Sequence, residues 1–539
     1  MVRARPLFTF AAALGMLFAS SGAAAAAPRT TVAMPPALSA VSHPTLGGLR
    51  TSGTSPTSVP AVLRVAQFNT DIADEYPKIR AAYVASAIRA SNADVVGIEE
   101  GGGEIPQIAK ALGWRYYDIR MQIVSRLPLI DPPGGNGLYT FVQLRPGGVV
   151  AMENVHLPSN PYGPYWVRDG RSLSRVLALE NRVRVPPLRR LLRAARTLLS
   201  RGIPVFLTGD FNSPSWRDWT TTMVHARFQI RYPVRWPASV AVERTGFVDS
   251  FRAAYPNPAS VPGLTWPTRR TIPGVWNPGP REPADRIDFV FAAGAARTTA
   301  SAIIGEPGAS GILAATAPWP SDHRLVVSTF SVQPGAPPTL VTLDRRAITI
   351  GRPVTIRFHV AASQASRLVV VRGSSAPPRA AIVVQRIPRR VSEGVLRFST
   401  RGLSPGGYAG LLLDGKGRIL ARYPFWLLKP GVRPTIVPSK AVYRAGDPIM
   451  AHIQNAPGDR WDWIAIYKHG ANPAVAGYGP WTYTHSVIDG SVTLDTKTAQ
   501  AGSVGRWPLR PGIYSLYLLK DDLYVKIAAA TIRIVPRAS

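Results

Sequence analysis

Between Val62 and Phe330 the sequence alternates short apolar segments with helix-like segments, and this alternation constrains the fold more than any other feature. The strand-like segments are residues 62–68, 95–98, 149–155, 205–208, 287–291 and 325–330. Apolar periodicity predicts one helix over Pro77–Ser91 and a second helix whose leucine stripe runs over Leu188–Leu199 and ends before Gly202. Strands separated by single helices predict sheets that are covered by helices.

The sequence changes in character after Phe330. Residues 333–338 (QPGAPP) read as a linker, and from there short strands alternate with Gly/Pro turns without any helical stripe. This pattern predicts two β-sandwich modules, over residues 339–432 and 435–537. Residues 351–354 (GRPV) resemble 446–449 (GDPI), and 405–408 (PGGY) resemble 511–514 (PGIY). The shared order of these turns favours a tandem duplication over chance similarity.

The amino terminus has the features of a secretory signal peptide over residues 1–27. Arg3 and Arg5 precede an apolar core, Leu7–Phe18, and a run of small residues follows it. The alternative is an uncleaved anchor. We expect export to the extracellular space or cell envelope, no transmembrane segment in the mature chain, and a flexible linker over 28–60. The chain has no cysteine, which excludes thiolate chemistry and cysteine metal sites.

The chain carries a formal net charge of +32. Such a charge attracts polyanions, including nucleic acid, anionic lipid surfaces and phosphorylated sugars. The basic residues are scattered, however, and arginine, alanine, glycine and proline are all abundant. The composition bias of a GC-rich genome explains the charge equally well, so both interpretations remain open at this stage.

Polar residues lie at the ends of the predicted strands, where open sheets place functional groups. They are Asn69, Asp71, Glu99, Glu100, His156, Asp210, Asn212, Asp288, Asp322 and His323. Most of them follow a strand, whereas Asp288 opens one, and Asp322 and His323 precede the last. Taken singly, each has a local explanation as a turn residue or a solvated strand end. Taken together, they combine the hard oxygen ligands that Mg²⁺ or Ca²⁺ prefers with two histidines that serve as acid or base. No zinc motif and no phosphate-binding glycine loop of the Walker type occurs.

These residues fall within nine sequence blocks. The blocks are RVAQFNTD (64–71), DVVGIEE (94–100), IVSRLPLI (123–130), NVHL (154–157), PVFLTGDFN (204–212), GFVDSFR (246–252), GLTWP (263–267), RIDFVF (286–291) and SDH (321–323). In this order they resemble the endonuclease/exonuclease/phosphatase superfamily, which has the deoxyribonuclease-I-like fold. The resemblance implies a four-layered α/β sandwich over residues 61–332. Residues 443–449, 462–467, 481–483 and 506–519 resemble Ig-like sandwich domains appended to exported phosphoesterases, in which Trp463 and Tyr514 are expected to be core residues.

The resemblance also assigns roles to the polar residues. Asn69 and Glu100 match the metal-binding pair, with Glu99 standing where glutamine is usual. Asp322 matches a carboxylate that binds the metal or orients a histidine, and Asp71 matches an additional acidic residue near the metal in some members. The implied cofactor is Mg²⁺, with Mn²⁺ and Ca²⁺ as alternatives.

The catalytic roles implied by the resemblance fall on five residues. His156 matches the histidine that contacts the phosphate or protonates the leaving oxygen. Asp210 matches the residue that orients or deprotonates the attacking water, and Asn212 matches the side chain that holds the phosphate. His323 matches the catalytic histidine, with Asp288 as its hydrogen-bonded partner. The carboxylate that supports His156 in nucleases of this kind is not identified by the motifs; Asp118, Glu153 and Glu104 are the candidates.

The sequence thus predicts an exported, divalent-metal-dependent phosphoesterase acting on a phosphate-ester substrate. A phosphodiesterase or nuclease acting on nucleic acid is the leading assignment. A sphingomyelinase-like phospholipase or an inositol-type phosphatase would use the same catalytic residues. A non-catalytic surface-binding protein on the same fold is the alternative from another class. Contact with a cell surface or glycan through the two β modules is a further expectation.

Overall fold

The computed structural model describes residues 45–51, 60–70, 77–101, 104–119, 121–130, 132, 138–268, 278–279, 281–343, 346–360, 365–458, 462–473, 476–485, 487–499, 504–520 and 524–537. The predicted signal peptide and Asp71 lie outside the described residues. Within these ranges, no helix combines the length and the hydropathy that crossing a membrane would require.

One strand precedes the first unit, and thirteen strands and seven α-helices belong to that unit within the described ranges. The strands are β1 (Thr45–Thr51), β2 (Ala61–Asn69), β3 (Val95–Glu99), β4 (Tyr116–Asp118), β5 (Ile123–Ser125), β6 (Leu129–Ile130), β7 (Thr140–Arg145), β8 (Gly148–His156), β9 (Val205–Asp210), β10 (Val248–Asp249), β11 (Asp288–Ala293), β12 (Ala296–Gly305), β13 (Ala314–Ala315) and β14 (Leu325–Val332). The helices are α1 (Pro77–Ser91), α2 (Ile105–Leu112), α3 (Gly163–Arg168), α4 (Leu173–Val183), α5 (Val185–Leu199), α6 (Pro237–Glu243) and α7 (Ser250–Ala254).

The first unit is a four-layered sandwich. One sheet has the strand order β13-β12-β14-β2-β3-β5-β4, and the other has the order β10-β11-β9-β8-β7-β6. Apolar side chains of both sheets, such as Val65 and Phe206, form a buried core between them. Helices α1 and α2 cover the outer face of the seven-stranded sheet through residues such as Val84 and Ile108. The leucine stripe of α5 packs on the outer face of the six-stranded sheet, so the predicted fold class is confirmed.

The two sheets approach each other closely near the carboxyl ends of β3 and β9. A Cβ atom added to Gly97 would lie 2.1 Å from Thr208 Oγ1 and 2.4 Å from Asn154 Oδ1, so a side chain at this position is excluded. Asn154 Nδ2 crosses from the six-stranded sheet to donate a hydrogen bond to the Ile98 carbonyl at 3.0 Å. The strand ends of both sheets are therefore held at one common edge.

The remaining strands form two β-sandwich modules. The first contains β15 (Leu340–Leu343), β16 (Ala347–Thr349), β17 (Val354–His359), β18 (Ala365–Arg372), β19 (Ala381–Arg386), β20 (Val391–Phe398), β21 (Gly406–Asp414) and β22 (Ile419–Leu428). The second contains β23 (Thr435–Pro438), β24 (Val442–Arg444), β25 (Ile449–Gln454), β26 (Trp463–Lys468), β27 (Trp481–Tyr483), β28 (Gly490–Leu494), β29 (Gly512–Leu519) and β30 (Lys526–Val535).

The two modules share one strand topology. The five-stranded sheets have the orders β16-β22-β21-β18-β19 and β24-β30-β29-β26-β27, which correspond strand for strand. The repeated PGGY and PGIY turns begin equivalent strands, and the tyrosines of both turns donate a hydrogen bond to the carbonyl four residues earlier. Trp463 is buried beneath a cluster of tyrosines on the outer face of its sheet, while Tyr514 is partly buried against the core.

The first module has one additional strand, and it comes from the segment for which the sequence predicts a flexible linker. β1 pairs antiparallel with β20 and completes a four-stranded sheet of order β1-β20-β17-β15. The 28–60 segment thus contains a paired strand of seven residues, where the sequence predicted only a flexible linker. An edge strand exposes unpaired backbone groups, and an extended segment of almost any composition can satisfy them, which explains why the sequence pattern did not predict this pairing.

A lone carboxyl group is buried in the core of the first unit. Glu153 lies on the same face of β8 as Val149 and Ala151, which belong to the apolar core beneath α5. Its side chain is fully buried, and neither carboxyl oxygen has a hydrogen-bond partner among the described residues. Burial raises the pKa of Glu153 well above its ordinary value, so folding favours the protonated form of this carboxyl group.

We predict that Glu153→Leu raises the thermal midpoint more at pH 8 than at pH 5. The unfolded chain ionises this carboxyl above its ordinary pKa, whereas the folded chain keeps it protonated. Wild-type stability therefore falls as the pH rises between the ordinary and the raised pKa, by about 1.4 kcal/mol per pH unit. Calorimetry of both proteins at pH 5, 6.5 and 8 measures the difference. Glu153→Gln is the control, since it removes the titration but retains an unpaired polar group. An equal gain at all three pH values would contradict the assignment.

Candidate active site

Strand register places three of the predicted catalytic residues side by side at one edge of the six-stranded sheet. His156 is opposite Asp210 in the parallel pairing of β8 with β9. Asp288 is opposite Asp210 on the other side, in the antiparallel pairing of β11 with β9. The row His156, Asp210, Asp288 is therefore fixed by backbone pairing and does not depend on loop conformation.

The seven-stranded sheet contributes the facing residues. Asn69 ends β2, and Glu100 follows β3 with a positive φ of 56°, an unusual conformation for a residue other than glycine. The turn that carries Asp322 and His323 is tied to the end of β2, because Ser321 Oγ donates a hydrogen bond to the Asn69 carbonyl at 2.6 Å. The same Ser321 hydroxyl accepts a hydrogen bond from the backbone N–H of His323 at 2.9 Å.

The two groups of residues meet in one cluster. Asn69 Nδ2 donates hydrogen bonds to Asp210 Oδ2 at 2.9 Å and to Glu100 Oε1 at 3.3 Å. His156 Nε2 lies 3.6 Å from Asp210 Oδ2 and 3.7 Å from Glu100 Oε1. Asn212 Nδ2 lies 3.2 Å from His156 Nε2 and 3.2 Å from Asp210 Oδ2. Side chains that are more than 140 positions apart in the sequence thus share one polar pocket.

A buried histidine–carboxylate pair lies at the centre of this pocket. His323 Nδ1 and Asp288 Oδ2 are 2.9 Å apart, and both side chains are almost completely buried. Burial alone would lower the pKa of His323, but the negative charges of Asp288, Asp322 and Asp210 together raise it well above its ordinary value. Asp288 therefore favours the imidazolium form of His323 and leaves Nε2 directed toward the other carboxylates, 3.8 Å from Asp210 Oδ2.

The carboxylates of the pocket repel one another. Burial raises the pKa of Asp210 to about 6, and the charge of Asp288 adds to this effect while His323 opposes it. Burial also raises the pKa of Asp322, and the charge of Glu100 raises it further, again against the effect of His323. Such an excess of negative charge in a buried pocket favours the binding of a divalent cation.

Two sets of donors are candidates for holding a cation. The set predicted from the sequence consists of Asn69, Glu100 and Asp322, which offers oxygen atoms only. A second set consists of Asp210, Asp288 and His323, whose candidate ligand atoms all lie within 4.8 Å of one another. In the second set, Asp288 and His323 already bond to each other through Nδ1, so this set is better explained as an acid–base group. The oxygen set fits Mg²⁺ or Ca²⁺.

The three carboxylates considered as partners of His156 are placed elsewhere. Asp118 Oδ1 accepts a hydrogen bond from the backbone N–H of Met121 at 2.9 Å and stabilises a turn. Glu153 faces the apolar core, and Glu104 is the residue that precedes α2. Among the described residues, the carboxylates within 4 Å of His156 are those of Glu100 and Asp210.

A buried amide and a second glutamate support the pocket from below, and sequence analysis gave neither of them a role. Gln67 Nε2 donates hydrogen bonds to Asp288 Oδ1 at 2.7 Å and to Glu99 Oε2 at 2.5 Å. Burial, together with the charges of Asp288 and Asp210, raises the pKa of Glu99 well above its ordinary value. Gln67 and Glu99 lie within the sequence blocks at 64–71 and 94–100. Their position in these blocks is the sequence feature that could have indicated a role in the site.

Aromatic residues line the pocket on the side of Asp322. Trp266 Nε1 donates a hydrogen bond to Asp322 Oδ2 at 3.0 Å, and its ring centroid lies 6.3 Å from that of His323. Tyr162 packs edge-on against Trp266 and donates a hydrogen bond to Asp285 at 3.1 Å. Trp266 belongs to the GLTWP block at residues 263–267, a motif that predicts no function by itself.

Two networks of buried charges hold the backbone around the pocket. Arg286 bonds to both carboxyl oxygens of Asp249, at 3.1 and 2.7 Å, and to Asp218 at 2.9 Å. This network fixes the chain directly before Asp288. Arg184 pairs with Glu180, and Glu180 also accepts a hydrogen bond from Ser213 at 3.0 Å. Arg184 also donates hydrogen bonds to the carbonyls of Ser159 and Pro161, in the loop that follows His156. Through Glu180 and Ser213, the same network reaches the loop that follows Asn212.

Comparison with known proteins adds independent information. A model of the endonuclease/exonuclease/phosphatase family matches residues 66–323. An uncharacterized protein of Caenorhabditis elegans is 37% identical over 229 residues, which cover 39% of this chain and 71% of that protein.

Several solved structures are similar to parts of the chain. An endonuclease/exonuclease/phosphatase of Beutenbergia cavernae is 20% identical, with 68% of this chain and 100% of that one covered at a TM-score of 0.30. The AP endonuclease of Leishmania major is 16% identical, with 50% and 88% covered at a TM-score of 0.33. Fibronectin(III)-like modules of Clostridium thermocellum are 11% identical, with 36% and 94% covered at a TM-score of 0.14.

The matched segment contains all of the converging polar residues, from Asn69 to His323. Its two packed sheets carry those residues at one common edge. The chain therefore belongs to the endonuclease/exonuclease/phosphatase family of metal-dependent hydrolases of phosphoester bonds.

Proposed function

We propose that this protein is an exported phosphodiesterase that hydrolyses nucleic acid with the help of Mg²⁺ or a similar divalent ion. The observation that carries the proposal is the convergence of the Asn69–Glu100 pair with the Asp288–His323 pair in one partly buried polar pocket. Export is inferred from the basic, apolar and small-residue segments of the first 27 residues.

Each side chain of the pocket has a role in the proposed reaction. Asp210 accepts a proton from the attacking water, and the amides of Asn69 and Asn212 hold its carboxylate in place. His323, charged and oriented by Asp288, stabilises the negative charge that develops on the phosphate oxygens. A cation bound by Asn69, Glu100 and Asp322 would supply further charge neutralisation at the phosphate.

His156 and Asn212 are placed to bind the phosphate itself. His156 is one-fifth exposed, whereas His323 is almost fully buried, so His156 is the more accessible of the two rings. Asn212 has a positive φ of 47°, and its side chain donates a hydrogen bond to the Leu157 carbonyl at 3.1 Å. Asparagine adopts this left-handed conformation readily, and the hydrogen bond to Leu157 fixes the direction of its amide toward the pocket.

The choice of nucleic acid among phosphate esters rests on charge. The chain carries a net charge of +32, and α5 has exposed arginines and no acidic residue. Arg189, Arg193 and Arg196 all lie on its solvent-exposed face. Clustered arginines of this kind bind phosphate backbones and make the binding sensitive to salt.

We predict that chelation of divalent ions abolishes hydrolysis and that added Mg²⁺ restores it. A panel of plasmid DNA, RNA, sphingomyelin vesicles and a small phosphodiester, each with and without chelator, measures both the metal requirement and the substrate class. DNA or RNA should be cleaved faster as the salt concentration falls. Hydrolysis of sphingomyelin alone would show that the substrate is a phospholipid and not nucleic acid. Turnover that survives complete removal of metal ions would contradict the mechanism.

We predict that His323→Ala and Asp288→Asn each lower kcat on a small phosphodiester by roughly 10²–10⁴-fold. The double variant should be little worse than His323→Ala, because the two residues act as one unit. His452→Ala, which removes an exposed histidine of the second module, is the control and should keep full turnover. A surface-binding protein would lose nothing in any of these variants, and additive losses would contradict the pairing of Asp288 with His323.

A further inference from the structure

An open surface cavity of about 500 Å³ lies where α3 ends and α4 begins. Trp166, Asp169, Gly170, Arg171, Ser172 and Arg175 line it. Its floor is held in place, because Arg231 donates a hydrogen bond to the Arg168 carbonyl at 3.3 Å and Tyr232 donates another to the Arg171 carbonyl. None of these residues has a role in the reaction described above.

The cavity is electropositive. Neither Arg171 nor Arg175 forms an ion pair with a carboxylate in the part of the chain that the structure describes. The one acidic residue in the lining, Asp169, is already paired with Arg168, whose Nε lies 2.8 Å from Asp169 Oδ1. The amino terminus of the eleven-residue helix α4 also faces this region, and the side chain of Ser172 does not cap it. Two arginines and free backbone N–H groups together favour a phosphate group.

Aromatic contacts connect the cavity to the reacting groups. From His323 they run through Trp266, at a centroid distance of 6.3 Å, to Tyr162 at 5.6 Å. Tyr162 in turn packs edge-on against Tyr165 at 5.0 Å, and Trp166 follows directly in α3. The cavity is thus several side chains away from His323, too far to hold the phosphate that is cleaved. Helix α3, which borders it, follows the end of β8 that carries His156.

We infer that this cavity binds a second phosphate, and the base beside it, of a single-stranded polynucleotide whose scissile phosphate lies at His323. Arginines with an adjacent tryptophan are the combination that binds the backbone and stacks the bases of single strands. A phospholipid with one phosphate has no group to place there. The inference rests on the proposed function and specifies its substrate as a chain with repeated phosphodiesters.

Binding of a fluorescently labelled 12-nucleotide DNA strand, measured by anisotropy in the His323→Ala background, tests this inference. Adding Arg171→Ala and Arg175→Ala should weaken binding on the order of tenfold and make the logarithmic salt dependence shallower by about 1. The matched control is Arg182→Ala with Arg244→Ala, which removes the same charge from exposed positions outside both the cavity and the arginine face of α5. The control should change binding less than twofold.

Equal weakening of DNA binding in the two double variants would show that the overall positive charge, and not this cavity, attracts the strand. Unchanged binding in both variants would exclude the cavity as a binding site. A second measurement uses the active protein on strands of 2 to 12 nucleotides. The gain in kcat/KM with strand length should be smaller in the Arg171→Ala/Arg175→Ala protein than in wild type. Failure of the wild type to hydrolyse any diester would refute the proposed function, whereas hydrolysis with equal length dependence in both proteins would refute only this inference.

Discussion

Hydrogen bonds between the two sheets of the catalytic unit determine the rest of the structure. Asn69 from the seven-stranded sheet binds Asp210 of the six-stranded sheet, and Gln67 in the same way binds Asp288. These contacts lie where the two sheets approach each other closely, and this approach is possible because Gly97 has no side chain. Because each of these polar groups is buried, each needs a hydrogen-bond partner, and the opposite sheet supplies it. The same hydrogen bonds therefore hold the two sheets together and set the geometry of the site.

The arrangement places several acidic groups where water is scarce. Glu99, Asp210 and Asp322 all have pKa values raised by burial, and each is also affected by neighbouring charges. His323 provides positive charge within the protein, and a divalent cation would provide more. The chain has no cysteine to cross-link this region, so buried networks such as that of Arg286 with Asp249 hold the backbone instead.

Much of this was predictable from the order of motifs. Helix α1 has the bounds that its periodicity predicts, and the strand ends carry the predicted residues from Asn69 to His323. The pairing of β1 with β20 was not predictable, since an edge strand selects an extended backbone rather than a side-chain pattern. Glu153 was a candidate partner of His156, but it lies three residues before His156 in β8. Because side chains alternate along a strand, Glu153 points to the opposite face, toward the apolar core. Gln67 gave no signal of its own because its role depends on the opposite sheet.

The proposed mechanism requires one cation beside the Asp288–His323 pair, held by Asn69, Glu100 and Asp322. Anomalous diffraction from crystals soaked in Mn²⁺ locates such an ion directly. We expect a single strong peak within bonding distance of Glu100 and Asp322, with the hydrogen bond between His323 and Asp288 intact. A peak bonded to His323 and Asp288 in place of that hydrogen bond, or no peak in this pocket at all, would contradict it.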